Sequence, residues 1–272
     1  MGLGRVVASS GSLPTAAVLS GVYLYSRLQA RGGHVLAEPS QSSVRSSLAS
    51  SGLAHRLMGF RMRGGGLVRC RIVDAGGLLS VNVDREYDIP GFDWASTHTI
   101  VDIGAHVGTF TVWAAMRAPG ARVLAVEPNP ETFPLLERNI RDNGLQGRVT
   151  AIHAAVGAAP GTGTLELVEH SLGTRLARTD DGAIKVRVET VPALLAQAAM
   201  ADVDLLKIDC EGMEYEVFES IDSQQLLRLG AIACEYHPRP GRKVDQLDAL
   251  FKSAGFNVQR PDAALGVLWA TR

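Results

Sequence analysis

The chain has 272 residues, of which 46% are hydrophobic, 20% charged and 6% aromatic, with a formal net charge of −1. This composition excludes wholesale disorder, collagen-like repetition and a membrane bundle, and the length suits one large domain or one domain with an appendage. Charge is unevenly placed: residues 1–73 carry nine Arg against the single acid Glu38, a net of +8, so the remaining residues carry −9. The Arg are scattered among Ser and Gly rather than grouped in runs and read as solvated charge, while the acidic remainder argues against a nucleic-acid channel.

Ser12, Pro14, Val18, Val22 and Tyr25 stand at helical spacing and predict a short amphipathic helix. The apolar stretch Leu13 to Tyr25 is shorter than the ~20 residues of a spanning helix, so no stable membrane span is expected. Arg5 before it gives the outline of a signal peptide, but Tyr25-Ser26-Arg27-Leu28 is a poor small-residue cleavage site. Ser-rich residues 39–52 read as linker or a weak second helix. Leu67 to Val73, a turn at Asp74-Ala75-Gly76-Gly77, and Leu78 to Val83 predict a β-hairpin. Cys70, Cys210 and Cys234 are odd in number, far apart and without a C-x-x-C, which fits neither a disulfide scaffold nor a zinc site and points to a reducing cytoplasm.

From Thr99 onward, buried apolar runs alternate with helical stretches, the pattern of a parallel sheet covered on both faces. The predicted strands are Thr99 to Ile103, Arg122 to Glu127, Val149 to His153, Val203 to Asp209, Gly230 to Tyr236, Phe256 to Gln259 and Leu265 to Ala270. One helix is predicted from an N-cap at Asn129-Pro130 to a stop at Asn143-Gly144. Another runs from about Arg242 to Ala254, with Val244, Leu247 and Phe251 inward and Gly255 closing it. Residues 160–190 form a Gly- and Thr-rich excursion with short β runs at Thr164 to Val168 and Lys185 to Val188.

In such a sheet, ligands bind beyond the carboxyl ends of the strands. The first strand ends in Asp102-Ile103-Gly104-Ala105-His106-Val107-Gly108-Thr109, where Gly104 and Gly108 allow a sharp turn and the helix start offers amide donors. G-x-G-x-x-G would need glycine at His106 and Thr109, so a nicotinamide dinucleotide is disfavoured. Asp102 suits a ligand with an ammonium group, and Glu127-Pro128-Asn129 places a carboxylate where a ribose diol is bound. An amino-acid head at one end and a ribose at the other describe S-adenosylmethionine. The fourth strand ends in Lys207-Ile208-Asp209-Cys210-Glu211-Gly212-Met213-Glu214; alternation sends Lys207 and Asp209 to one face, where each other or a neighbour satisfies them. Glu211 and Glu214 share a face at the following helix start. The fifth strand brings Glu235 and His237 to the same rim, and no D-P-P-Y or N-P-P-Y run follows the fourth, which disfavours nucleic-acid base methylation.

These motifs resemble those of FkbM-type methyltransferases, with Val101 to Gly108, Ala125 to Pro130, Asn139 with Asn143-Gly144-Leu145, Ala154-Ala155-Val156-Gly157, Lys207 to Glu214 and Glu235-Tyr236-His237-Pro238 as the matching pieces. The chain departs from the family at Thr190-Val191-Pro192-Ala193, which lacks the usual acid, and at His106, where Asn is commoner. The resemblance implies a Rossmann-like class I α/β fold with a seven-stranded, mostly parallel sheet over residues 96–272, preceded by a helical and hairpin cap in residues 1–95. It implies O-methylation of a small-molecule acceptor, with S-adenosylmethionine held by Asp102, Gly104, Ala105, His106, Gly108, Thr109, Glu127, Pro128, Asn129, Ala154, Ala155 and Asp209. Asp209, Glu211, Glu235 and His237 are the candidates for the base that takes the hydroxyl proton, His237 having the most suitable ordinary pKa, ~6.5. The same four residues alternatively hold a divalent cation; no residue is assigned as a metal ligand alone. A non-catalytic cofactor-binding protein and a homo-oligomer remain open readings. Four Lys against 23 Arg mark a coding bias compatible with a natural-product producer.

Overall fold

The computed structural model describes residues 55–62, 64–166, 175–176, 184–237, 239–261 and 266–272. The helix expected at residues 12–25, the Ser-rich stretch 39–52 and the middle of the 160–190 excursion lie outside the described residues. Among the described residues, no helix is long and apolar enough to cross a membrane.

Seven strands form the central sheet: β3 (Thr99–Ile103), β4 (Arg122–Glu127), β5 (Val149–His153), β10 (Val203–Ile208), β11 (Leu229–Glu235), β12 (Asn257–Gln259) and β13 (Val267–Thr271). Their order is β12-β13-β11-β10-β3-β4-β5. The five from β11 to β5 are parallel, and β13 enters antiparallel to both β11 and β12. This is the Rossmann-like class I methyltransferase arrangement, and the strand order reverses beside β3, which opens a crevice at the carboxyl ends of β3 and β10. Successive residues serve opposite faces: Ile100 and Leu205 join one core, Val101 and Leu206 the other. Helix α1 (Thr109–Arg117) is buried from Thr109 to Ala115 because it lies between the sheet and the N-terminal segment. Helices α3 (Val191–Gln197), α4 (Glu214–Glu219) and α5 (Val244–Ser253) supply the opposite core with Leu194, Phe218 and Phe251.

The predicted strand at Leu67 to Val73 is present but forms the second arm of the hairpin, whose partner precedes it in the chain. The hairpin pairs β1 (Leu57–Arg61) with β2 (Leu67–Arg71), and the Met62 amide closes the turn on the Gly66 carbonyl at 2.7 Å. Residues 72–84 are successive helical turns instead. Arg71 and Asp74 pair across one turn at 2.6 Å, and Leu78, Leu79 and Val81 enter the core together, so tertiary burial overrides the local β preference. The hairpin is fastened to helix α2 (Phe133–Asp142) and its end by two asparagines. Asn139 bonds both the amide and the carbonyl of Arg69, at 2.8 and 2.9 Å, and Asn143 does the same for Leu67, at 2.8 and 2.7 Å. Four helical residues rise ~6 Å and two strand residues ~6.6 Å, so this spacing lets a helix act as the strand's missing neighbour.

Helix α2 also starts later than the predicted Asn129-Pro130 cap. The Asn129 side chain instead accepts from the Glu131 amide at 2.9 Å, and Thr132, at the N-cap position, makes no cap bond because its hydroxyl is drawn to Glu127 at 2.9 Å. The expected stop holds, with Gly144 at φ +66°. In the excursion, β7 (Gly161–Glu166) and β9 (Ile184–Glu189) pair antiparallel, in a small sheet with β6 (Ala155–Val156) and β8 (Arg175–Leu176).

Candidate active site

The loop after β3 is laced to its neighbours. The amides of Gly104 and Ala105 donate to the Val126 carbonyl at 2.9 and 3.0 Å, and the Asp209 amide donates to the Ile103 carbonyl at 3.1 Å. Gly104 has φ +71°, and a Cβ there would stand 1.7 Å from the Asp209 carbonyl oxygen; only glycine permits this approach of two strand ends. At Gly108, φ +86°, a Cβ would meet Leu136 at 2.6 Å. Between them His106 holds φ +53°, unusual for a residue with a side chain. Its ring lies 3.9 Å from the buried Asp74 carboxylate, and burial lowers its pKa to about 4, so the imidazole is neutral at pH 7. Thr109, the first residue of α1, is buried.

Asp102 lies under this loop, fully buried. Its Oδ2 accepts from the Thr111 hydroxyl at 2.5 Å and its Oδ1 faces Lys207 Nζ at 3.1 Å. The sequence expectation of direct contact with a ligand ammonium does not match this covered position; Asp102 reaches the site through Lys207. Lys207, 3% exposed, also donates to the carbonyls of Ile103 and Gly104 at 3.2 and 2.7 Å and lies 3.9 Å from Asp209. Burial alone would lower its pKa, but Asp102 and Asp209 outweigh it and raise the value to about 12. A charged Lys207 therefore ties the carbonyl ends of β3 to its own strand.

At the end of β4, Glu127 is buried and accepts from the His106 amide at 2.7 Å, the Asn129 amide at 2.9 Å and the Thr132 hydroxyl at 2.9 Å. Burial raises its pKa to about 7 despite these donors. Pro128 offers its carbonyl to His153 Nε2 at 3.0 Å, and Ala154 and Ala155 are buried beyond β5.

The ends of β10 and β11 gather four acids around one imidazole. His237 Nδ1 meets Glu214 Oε1 at 3.0 Å, and Nε2 faces Glu211 at 3.3 Å and Glu235 at 4.0 Å. Glu214 is fully buried and also accepts from the amides of Cys210 and Gly212 at 3.2 and 3.0 Å. It thus holds the loop and the imidazole together rather than sharing a helix face with Glu211, which precedes the helix at φ +52°. Burial opposes the His237 charge, but the bond to Glu214 and the charge of Glu211 raise its pKa to about 10, so the ring is a cation at neutral pH. Burial pushes the Asp209 carboxyl up, Glu211 to about 7 and Glu235 well above the usual carboxylate range.

Two contributors escape sequence reasoning. Tyr87 donates its hydroxyl to Glu235 at 3.0 Å, and Glu86, 7% exposed, lies in electrostatic reach of Asp209 and Lys207, its pKa raised by burial to about 7. Both belong to a polar run, Asp84-Arg85-Glu86-Tyr87-Asp88, that carries no apolar periodicity. Trp269 fixes this run by donating to the Glu86 carbonyl at 2.7 Å.

The strand order and the acid-lined rim define a class I methyltransferase. Residues 102–258 match the Methyltransferase FkbM domain, and the chain belongs to that family. Methyltransferase sdnD of Sordaria araneosa is 29% identical over 212 residues, spanning 66% of this chain and 81% of its own. The 31-O-demethyl-FK506 methyltransferase FkbM of Streptomyces tacrolimicus is 26% identical over 205 residues, spanning 64% of this chain and 78% of its own. The crystal structure of Methyltransferase FkbM from Methylobacillus flagellatus KT is similar with a TM-score of 0.46 and 15% identity, covering 65% of this chain and 44% of that one.

Proposed function

We propose that this methyltransferase moves a methyl group from S-adenosylmethionine to a hydroxyl oxygen of a small molecule. The observation that carries the reading is the donor set at the rim: Asp209, Glu211 and Glu235 converge on His237 beside the Gly104–Gly108 loop, and Asp209 Oδ1 is buried without a hydrogen-bond partner. That set fits a cofactor that carries an ammonium and a sulfonium and repels a phosphate-bearing one. The relative named 31-O-demethyl-FK506 methyltransferase supports oxygen as the accepting atom.

Asp209 and the loop Gly104-Ala105-His106-Val107-Gly108-Thr109 would hold the amino-acid end, Glu127-Pro128-Asn129 the ribose, and Ala154-Ala155 the adenine ring. When bound, the cofactor supplies a methyl group activated by its sulfonium. Lys207 keeps the ends of β3 and β10 fixed, so that donor and acceptor meet in line. The hydroxyl proton passes to a carboxylate of the rim, Asp209 or Glu235, which the cationic cofactor beside it would hold ionised against the effect of burial. His237, already protonated, positions Glu211 and Glu235 instead. The core shared by residues 60–94 and the sheet supports a role for the N-terminal segment in shaping the acceptor pocket.

The test is isothermal calorimetry with S-adenosylmethionine, followed by a screen of hydroxylated metabolites read out as S-adenosylhomocysteine. Saturable binding and turnover on a hydroxyl are expected. Absence of binding, with tight binding of NADH in its place, overturns the reading; methylation of nitrogen or carbon overturns the accepting atom.

A further inference from the structure

We propose that Asp209, Glu211 and His237 form a binding site for one divalent cation of the Mn2+ type. One donor atom from each lies within 4.8 Å of the others, and a cation about 2.2 Å from each donor needs separations of roughly 3 to 4.5 Å, so small side-chain rotations close the site. Two carboxylates suit a hard cation and an imidazole suits a first-row transition metal, a combination that Mn2+ meets.

Two further observations point to a cation. First, buried oxygens around the cluster lack partners: Glu214 is fully buried with Oε2 unpaired, Glu86 is 7% exposed with Oε2 unpaired, and Asp209 Oδ1 is likewise unpaired. Leaving such atoms unsatisfied is costly. Second, the imidazole is pre-oriented as in metal sites: Nδ1 is engaged by buried Glu214 at 3.0 Å, itself fixed by the Cys210 and Gly212 amides, which leaves Nε2 toward Glu211. A carboxylate behind the ligating ring is the usual support for such a ligand, and the cation displaces to solvent the proton that His237 carries in the metal-free protein. A bound cation would hold the acceptor oxygen in place and, by engaging Asp209, would leave Glu235 to take the hydroxyl proton; this role, unlike the binding itself, rests on the hydroxyl reading above.

The test is an electron paramagnetic resonance titration of Mn2+ into the full chain, with and without S-adenosylmethionine, and pulsed detection of nitrogen coupling. One Mn2+ per chain with coupling to an imidazole nitrogen is expected. Glu211→Gln and Glu214→Gln each weaken affinity tenfold or more, His237→Gln abolishes the nitrogen coupling, and Glu219→Gln, which loses only the pair with Arg242, leaves affinity unchanged. No saturable Mn2+ binding, or Mn2+ bound without nitrogen coupling, overturns the proposal. The wild-type coupling decides the matter even where a variant fails to fold. Cofactor calorimetry on the same samples separates the two readings: cofactor bound without Mn2+ sinks the cation site alone, and Mn2+ bound without cofactor sinks the methyl-donor reading alone.

Discussion

Tyr87 and Glu235 are 148 residues apart and meet at 3.0 Å, phenol to carboxylate, at the rim of the sheet. The bond joins the N-terminal segment to the end of β11, and the ring of Tyr87 also lies 5.6 Å from Lys207 Nζ and packs edge-on against Phe110 at 5.1 Å. Tyr87→Phe keeps the ring contacts and removes the hydroxyl alone. The expected cost in stability is about 1 kcal/mol, since Glu235 keeps some solvent access, whereas turnover should fall tenfold or more because the rim carboxylate loses its orientation. Urea unfolding and steady-state assays on one preparation separate the effects. An unchanged kcat removes Tyr87 from the site.

Glu127 carries a second prediction. Its three internal donors make Glu127→Ala a folding mutation, because the His106 and Asn129 amides and the Thr132 hydroxyl would all lose their acceptor. Glu127→Gln keeps the shape, removes the charge and turns one acceptor into a donor. It should weaken S-adenosylmethionine binding at least tenfold, about 1.4 kcal/mol, while the melting temperature falls by only a few degrees. Calorimetric binding beside a thermal melt checks this, and an unaltered dissociation constant takes Glu127 out of ribose recognition.

The seven-stranded sheet is legible in the sequence because its central parallel strands are buried on both faces, so runs such as Val203-Asp204-Leu205-Leu206-Lys207-Ile208 stand out whatever they pack against. The motif residues at the strand ends are legible for the same reason, their place in the chain being set by where the runs stop. What the side chains do there is not. Asp102 reads as a ligand carboxylate until Lys207 is seen beside it at 3.1 Å. Glu214 reads as a helix-start acid until its contact with His237, 23 residues on, is known. The true hairpin hides because Leu57-Met58-Gly59-Phe60-Arg61 buries only Phe60 fully, and its second edge is satisfied by asparagine side chains that no local pattern announces.

His106 contributes to the acid limb of stability. Its folded-state pKa of about 4 lies below the ordinary 6.5, so the unfolded chain binds the proton more readily. Stability from this group is fully present above pH 6.5 and is lost as pH falls through about 4, by up to about 3 kcal/mol. Glu127, raised to about 7, acts in the opposite sense: its penalty grows as pH rises from 4.5 toward 7. His106→Asn retains a residue tolerant of positive φ and removes only the histidine contribution. The variant's stability at pH 4 relative to pH 7 should therefore exceed that of the wild type, as measured by urea midpoints across the range; parallel curves would show that the ring titrates normally.

Asn139 fastens three backbone groups at once: the Arg69 amide, the Arg69 carbonyl and the Val107 carbonyl, the last at 2.7 Å. The Val107 bond places the hairpin, helix α2 and the glycine loop on one buried amide, so the hairpin and the loop are coupled through it. Asn139→Asp can still accept from Arg69 but presents lone pairs to both carbonyls, and should cost about 3 kcal/mol or more. Asn143→Ala loses the outer pair of bonds to Leu67 and the bond from its amide to the Asn139 carbonyl, none of which involves the loop, and should cost about 1 to 2 kcal/mol. Native-state hydrogen exchange then discriminates. In Asn143→Ala the Leu67 amide exchanges faster while the Gly108 amide, bonded to the Ala105 carbonyl, keeps its protection; in Asn139→Asp both lose it. Equal protection losses in the two variants would show that the hairpin and the loop open independently of Asn139.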